Sequence, residues 1–245
     1  MEYTIDKPLR LVTLFSGYDS QALAMKRLCA DFPPLAFDLV AWCEIEASAI
    51  KAHNALFPQW SERNLGDITK VRGDEVPDCD LITWSYPCTD LSQAGKQAGM
   101  SEGSGTRSSL AWDAIRIFKV KRPKYLLMEN VPALVSSKFI KDFHQVLLAL
   151  ENIGYKNFTE LLNAKDYGTP QNRLRTFCVS ILRTPDNPEP RFDFPAPFKL
   201  DKCLEDVLQE DVDESLFLRD EMLARFCVKS VEQEGLITPN NQSDE

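Results

Sequence analysis

The stretch Leu9–Ser20 reads LRLVTLFSGYDS. Residues 9–15 are apolar apart from Arg10 and Thr13, as suits a strand covered on both faces. Ser16, Gly17 and Asp19 then punctuate the chain, and helical spacing runs from Ser20 to Ala30. A buried strand that feeds a tight turn and then a helix is the opening of a β–α–β unit.

The same alternation repeats outward from it. FDLVAWCEI (37–45) reads as a second strand, and Glu46–Leu56 as a helix ending before Pro58. CDLITWSY (79–86) is a third strand, stopped by Pro87. Ser109–Lys121 is amphipathic, with Leu110, Ala114, Ile117 and Phe118 on one face. YLLMENV (125–131) follows Pro123 as another buried strand, and Phe139–Ile153 is a helix closed by Gly154. Residues 155–162 and 176–182 read as two late strands, antiparallel to each other. The fold class is therefore α/β, a doubly wound, Rossmann-like, mostly parallel sheet. Such sheets bind ligands at the carboxyl ends of their strands. That rule points to Phe15–Tyr18, Glu44, Tyr86–Cys88 and Glu129–Val131.

Charge divides the chain. Residues 201–245 hold 13 acidic and 4 basic residues, whereas 1–200 hold 24 of each sign. The net charge of −9 thus belongs to the tail, and overall acidity does not speak against nucleic acid for the main part. Residues 1–183 read as one domain, 184–199 as a Pro-rich extended linker, and 200–245 as an acidic helical tail. No run of 18 apolar residues exists, and the N-terminus lacks a secretory pattern, so a cytoplasmic protein without a membrane partner is expected. The seven cysteines, at 29, 43, 79, 88, 178, 203 and 227, form no CxxC pair, which argues against a zinc site or a disulfide framework.

Five short segments lie where chemistry is expected. FSGYDS (15–20) can bring backbone N–H groups to a ligand, although an ordinary strand-to-helix turn explains it equally well. Glu44 ends a strand, where a carboxylate can accept from both hydroxyls of a ribose; a solvated loop glutamate is the alternative. Asp67, in GDIT, is an acceptor suited to an adenine amino group. In SYPCTDLSQAG (85–95), Pro87 stiffens the strand end and Cys88 falls in the crevice, where thiolate character would make it a nucleophile. Glu129 and Asn130 close an apolar strand, a place where a carboxyl can become a proton donor near neutral pH. In QNRLR (171–175), Arg173 and Arg175 would share one face of an extended strand and suit phosphate or a base-edge oxygen.

The order and spacing of Phe15-x-Gly17, Glu44, Pro87-Cys88, Glu129-Asn130-Val131 and Gln171-x-Arg173-x-Arg175 resemble the DNA (cytosine-5)-methyltransferase family. GTRSSLAWDAIRI (105–117) resembles the family's segment between the Pro-Cys and Glu-Asn-Val motifs, and the likeness covers about 9–182. It implies a fold of the S-adenosylmethionine-dependent methyltransferase type and double-stranded DNA as partner. It also implies residue roles. Phe15, Ser16, Gly17, Glu44, Ile45, Asp67, Ile68 and Pro87 would hold S-adenosylmethionine, Glu44 by its ribose and Asp67 with Ile68 by its adenine. Cys88 would add to C6 of a flipped-out cytosine, Glu129 would bind and protonate N3, and Arg173 and Arg175 would support base and adduct. Ser85, Asn130, Val131 and Gln171 would contact the base.

Two departures stand out. Asp19 occupies a position where the family usually has glycine. Beyond 182, nothing offers the basic, Gly-rich target-recognition domain of the family, and FDFPAPF with the acidic tail resembles only its lead-in. The expectation is a truncated enzyme, the catalytic part of a split enzyme whose second polypeptide recognises the target, or a non-catalytic, partner-binding remnant. An RNA cytosine-C5 methyltransferase is the enzymatic alternative. A bacterial or phage origin and a restriction-modification setting are expected from the family.

Overall fold

The structure, a computed structural model, describes residues 2–87 and 107–224. A first compact unit ends at Asp201 and a second begins at Lys202. In the first, six strands form one sheet: β1 (Leu9–Leu14), β2 (Phe37–Cys43), β3 (Leu81–Trp84), β4 (Tyr125–Asn130), β5 (Tyr155–Asn163) and β6 (Leu174–Leu182), in the order β2-β1-β3-β4-β6-β5. The pairs β1–β2, β1–β3 and β3–β4 are parallel, and β6 runs antiparallel to β4 and β5. The fold read from the sequence stands, with the two late strands antiparallel as expected.

β1 has β2 on one side and β3 on the other, so the chain reverses its direction of travel there, and a crevice opens at the strand ends. Helices α1 (Ser20–Asp31), α2 (Ala47–Leu56), α3 (Ala111–Lys121) and α4 (Ile140–Ile153) cover the sheet. The alternation of β1 sorts its side chains between two cores. Val12 and Leu14 join Ile115, Phe118, Val146 and Leu150 of α3 and α4, whereas Leu9 and Leu11 join Ala22 of α1 and Phe57 beyond α2. Between Leu11 and Val12 the register with β2 slips by one residue, from Leu11↔Leu39 to Val12↔Ala41. The bulge lets both Leu39 and Trp42 face the α1 side, and it sets Leu14 beside Cys43, so Phe15 and Glu44 leave the sheet side by side.

The helix ends follow local chemistry. Asp19 caps α1 by accepting from the Ala22 N–H at 3.0 Å. Gly154, at φ 117°, closes α4 in the left-handed conformation that glycine adopts without strain.

Residues 184–187 make a turn closed by a bridge between Thr184 and Asn187, and 190–199 form no helix or strand and belong to the first unit. The Phe192 ring packs at 5.9 Å from that of Phe158, and Tyr167 donates to the Pro195 carbonyl at 3.0 Å. The acidic helical tail is corrected for the described residues from 202 to 224. They hold single helical turns, Glu205–Val207 and Glu214–Leu216, and a helix begins only at Asp220. Asp206 accepts from the Cys203 N–H and Asp213 from the Ser215 N–H. Such local caps compete with helix propagation, and the crowded like charges give it no help.

Candidate active site

The turn after β1 is held on several sides. Phe15, Gly17 and Asp19 have positive φ values of 57°, 58° and 68°. For Phe15 and Asp19 this backbone is uncommon and costs free energy unless the surroundings enforce it. The Ser16 N–H donates to the Cys43 carbonyl at 3.1 Å, and the Asp19 N–H to the Ser16 carbonyl at 2.8 Å. The Gly17 N–H donates to Glu44 Oε2 at 2.8 Å, while Glu44 Oε1 accepts from the N–H groups of Ile45 and Glu46. Glu44 is therefore no free loop carboxylate. It holds the two N–H groups that lead into α2 and ties them to the Gly17 turn. Asp19 turns its side chain into the core and is fully buried.

Asn64, which no local sequence pattern singles out, holds the backbone of Glu44. Its Oδ1 accepts from the Glu44 and Gly66 N–H groups, and its Nδ2 donates to the Glu44 carbonyl. The Asp67 carboxylate accepts from the N–H and hydroxyl of Thr69, and these bonds, with Lys70 nearby, hold its pKa below the usual carboxylate value. Ile68 is buried in the core, so a base edge would meet its backbone and not its side chain. Arg116 of α3 donates to the Val71 and Ile68 carbonyls at 2.6 and 2.9 Å and fixes this loop. Asn64 and Arg116 both act on carbonyls or N–H groups distant in sequence, which no local pattern announces.

At the ends of β3 and β4, Asn130 is the clasp. Its Nδ2 donates to the Tyr86 carbonyl at 3.2 Å, and its Oδ1 accepts from the Val131 N–H at 2.8 Å. Thr176 of β6 donates to the Val131 carbonyl. Ser108 donates to the Pro87 carbonyl at 2.8 Å, and Ser85 accepts from the Gln21 amide. Cys88, expected as the nucleophile, lies outside the described residues, one position beyond Pro87. Cys43 and Cys79 are different in kind: burial pushes both thiols up to about 12, far from nucleophilic use.

Glu129, Arg173 and Arg175 come together. Glu129 Oε1 lies 3.4 Å from Arg173 Nη2 and 3.1 Å from Arg175 Nε. Arg173 precedes β6 and Arg175 belongs to it, so the shared strand face expected from the spacing is realised as a shared partner. Two guanidiniums flank Glu129, because antiparallel β6 delivers its first residues to the end of β4. Two cavities adjoin this cluster. One, of about 910 Å³, is lined by Phe15, Ser16, Tyr18, Ser85 and Gln171 among others. The other, of about 390 Å³, reaches Tyr167, Thr169 and Pro195. Glu129, Arg173 and Phe177 line both.

Comparison with known proteins agrees with this arrangement. Residues 9–238 match the C-5 cytosine-specific DNA methylase family. Type II methyltransferase M2.ScrFI of Lactococcus lactis subsp. cremoris is 44% identical over 162 residues, 66% of this chain and 44% of that protein. Orphan methyltransferase M.SssI of Spiroplasma monobiae is 40% identical over 172 residues, 69% of this chain and 43% of that protein. The chain spans less than half the length of these two relatives. A DNMT2 mutant from Spodoptera frugiperda superposes with a TM-score of 0.66 at 24% identity, covering 90% of this chain and 65% of the other. The Entamoeba histolytica methyltransferase EhMeth gives 0.65 at 17% identity, over 89% and 65% of the two chains. At those identities the structural likeness establishes the fold. The family match adds the rest: it runs through every strand from β1 to β6, and the chain belongs to the C-5 cytosine-specific DNA methylase family.

Proposed function

We propose that this chain carries the catalytic part of a DNA cytosine-C5 methyltransferase that uses S-adenosylmethionine. The position of Glu129 carries the reading: one carboxylate, gripped by Arg173 and Arg175, stands on the wall shared by two cavities. A methyl donor on one side and a target base on the other would meet across it.

The residues on the donor side fit the cofactor. A Cβ built at Gly17 meets no atom within 4 Å, so the turn keeps open the space that a ligand would use. Phe15, Ser16 and Gly17 would cradle the cofactor. Glu44 would accept from the ribose with the lone pairs its N–H donors leave over. Exposed Ile45, with Asp67 and the Ile68 backbone, would meet the adenine, and Pro87 would close the floor. When bound, S-adenosylmethionine supplies an electrophilic methyl group.

The chain's own residues prepare the base to take it. The Cys88 sulfur adds to C6, and the ring's electron density moves to C5. Glu129 binds N3 and protonates it, and the two arginines offset the carboxylate's charge and hold the base. Once C5 carries the methyl group, a base takes the C5 proton, the C6–S bond breaks to release Cys88 as thiolate, and N3 returns its proton to Glu129. Ser85, Asn130, Val131 and Gln171 position the base, which has to leave the duplex for C6 to be reached. A positioned acid typically contributes about 10²–10⁴-fold.

Residues 1–183 are proposed as the catalytic and cofactor-binding domain. The stretch 184–199 would link it to 200–245, the lead-in to target recognition, supplied by this chain's own continuation or by a second polypeptide. Trapping tests the chemistry. Duplex DNA with 5-fluorocytosine and S-adenosylmethionine are mixed with the protein, and denaturing gels with peptide mapping are read. A covalent adduct at Cys88, lost in Cys88→Ala, is expected; an adduct that survives Cys88→Ala would overturn the assignment.

A further inference from the structure

Beneath the turn lies a polar cluster that the catalytic reading does not use. Thr13, Asp19 and His53 are each fully buried. Asp19 Oδ2 accepts from the Thr13 hydroxyl at 2.7 Å and faces His53 Nε2 at 3.6 Å, while Asp19 Oδ1 caps α1. His53 Nε2 has no hydrogen bond, and a buried polar atom in that condition is costly. Its ring is fixed by stacking on Trp42, with centroids 3.7 Å apart, and by Phe57 at 5.3 Å. The Nδ1 side of the imidazole lies 3.4 Å from Asn54 Oδ1, and the Nε2 side faces the Asp19 carboxylate.

The placement gives this contact a purpose. His53 sits on α2, and Glu44, which accepts from the Glu46 N–H just ahead of that helix, also takes the Gly17 N–H. The turn thus meets the β2–α2 unit on two sides, by the Ser16–Cys43 and Gly17–Glu44 hydrogen bonds on one and by the Asp19 carboxylate facing His53 on the other. Its outer side, through Phe15, Ser16 and Tyr18, lines the 910 Å³ cavity. A non-glycine residue at φ 68° needs an enforced backbone, and the buried carboxylate supplies two hydrogen bonds, to Thr13 and Ala22, and a contact with His53 that enforce it.

We propose that Asp19 and His53 are a positioning pair for the cofactor: locked together beneath the turn, they hold Phe15, Ser16 and Gly17 in the shape that binds it. This rests on the reading of the turn as the cofactor site. Neither residue touches the cofactor, so the pair acts through backbone shape alone.

The test has two readouts on the whole chain, one of which needs no ligand. Amide hydrogen exchange of the peptide spanning residues 15–20 is measured in the free protein for wild type, Asp19→Ala, Asp19→Asn, His53→Phe and His53→Gln. S-adenosylhomocysteine is then titrated calorimetrically, well below each variant's melting temperature. Asp19→Ala and His53→Phe should speed exchange in the turn at least tenfold and weaken binding at least tenfold. Asp19→Asn keeps the helix cap and His53→Gln keeps a donor, so both should stay within threefold of wild type. If exchange in the turn is unchanged in Asp19→Ala and His53→Phe, the pair does not position it and the proposal falls. It also falls if all four variants lose affinity equally, the mark of a merely structural core. If wild type itself does not bind S-adenosylhomocysteine, the cofactor reading fails, and the exchange data still decide whether the pair shapes the turn.

Discussion

The carboxyl ends of β1 and β2 and the meeting of β4 with β6 are two regions of one crevice, built by opposite means. The first is made of backbone donors, helix caps and a fully buried carboxylate. The second is made of charged side chains that stay partly in water, with Glu129 27% exposed and Arg173 47%. Buried hydrogen bonds are expensive to leave unmade, whereas exposed ion pairs are worth little. The difference teaches that one end fixes a shape and the other holds charges that can exchange partners. Glu129 can trade an arginine for a ligand at small cost, while the Gly17 turn can give up nothing without strain.

Substitutions can break that comparison. Asn130→Ala removes the clasp between β3 and β4, taking a donor from the Tyr86 carbonyl and an acceptor from the Val131 N–H where only 3% of Asn130 is exposed. With about 1–3 kcal/mol for each lost bond, calorimetry should show a melting temperature lower by about 4–24 °C. Gly17→Ala forces a side chain into left-handed backbone at φ 58° with no clash, a cost of about 1–2 kcal/mol and a melting-temperature loss of about 2–5 °C.

At the other end, Glu129→Gln removes two partly exposed ion pairs, and the melting temperature should move by less than about 2 °C. A fall as large as that of Asn130→Ala would erase the contrast. The smallest signal is a null one. Burial pushes the Cys43 and Cys79 thiols up to about 12, so at pH 8 almost none is thiolate. Iodoacetamide on the native protein should leave both unlabelled by mass spectrometry, and labelling of Cys43 would show that the β2 end opens.

The sequence made some of this legible and hid the rest for physical reasons. Continuous apolar runs bounded by Gly and Pro exposed the strands, because burial on both faces leaves that imprint. Site residues at strand ends were visible for the same reason: the alternation of β and α says where a crevice opens. Asn64 and Arg116 were not visible, because their partners are backbone groups that every residue has. The left-handed Phe15 was hidden because nothing in a phenylalanine announces that backbone. Residues 202–219 of the acidic stretch kept helical spacing yet folded into single turns, since spacing records amphipathicity and not the competition from Asp side chains. The meeting of both arginines with Glu129 was hidden because spacing does not say that β6 runs against β4.

That reversed strand also bears on how the protein is born. β6 follows β5 in the chain, yet it lies between β4 and β5. A ribosome therefore releases β5 before the strand that joins it to the sheet exists. The economical route is for β5 and β6 to close on each other across their short loop and dock on β4 as a finished hairpin. Glu129 emerges well ahead of both arginines and waits at the sheet's open margin without them. The ion cluster thus forms only when β6 is seated against β4.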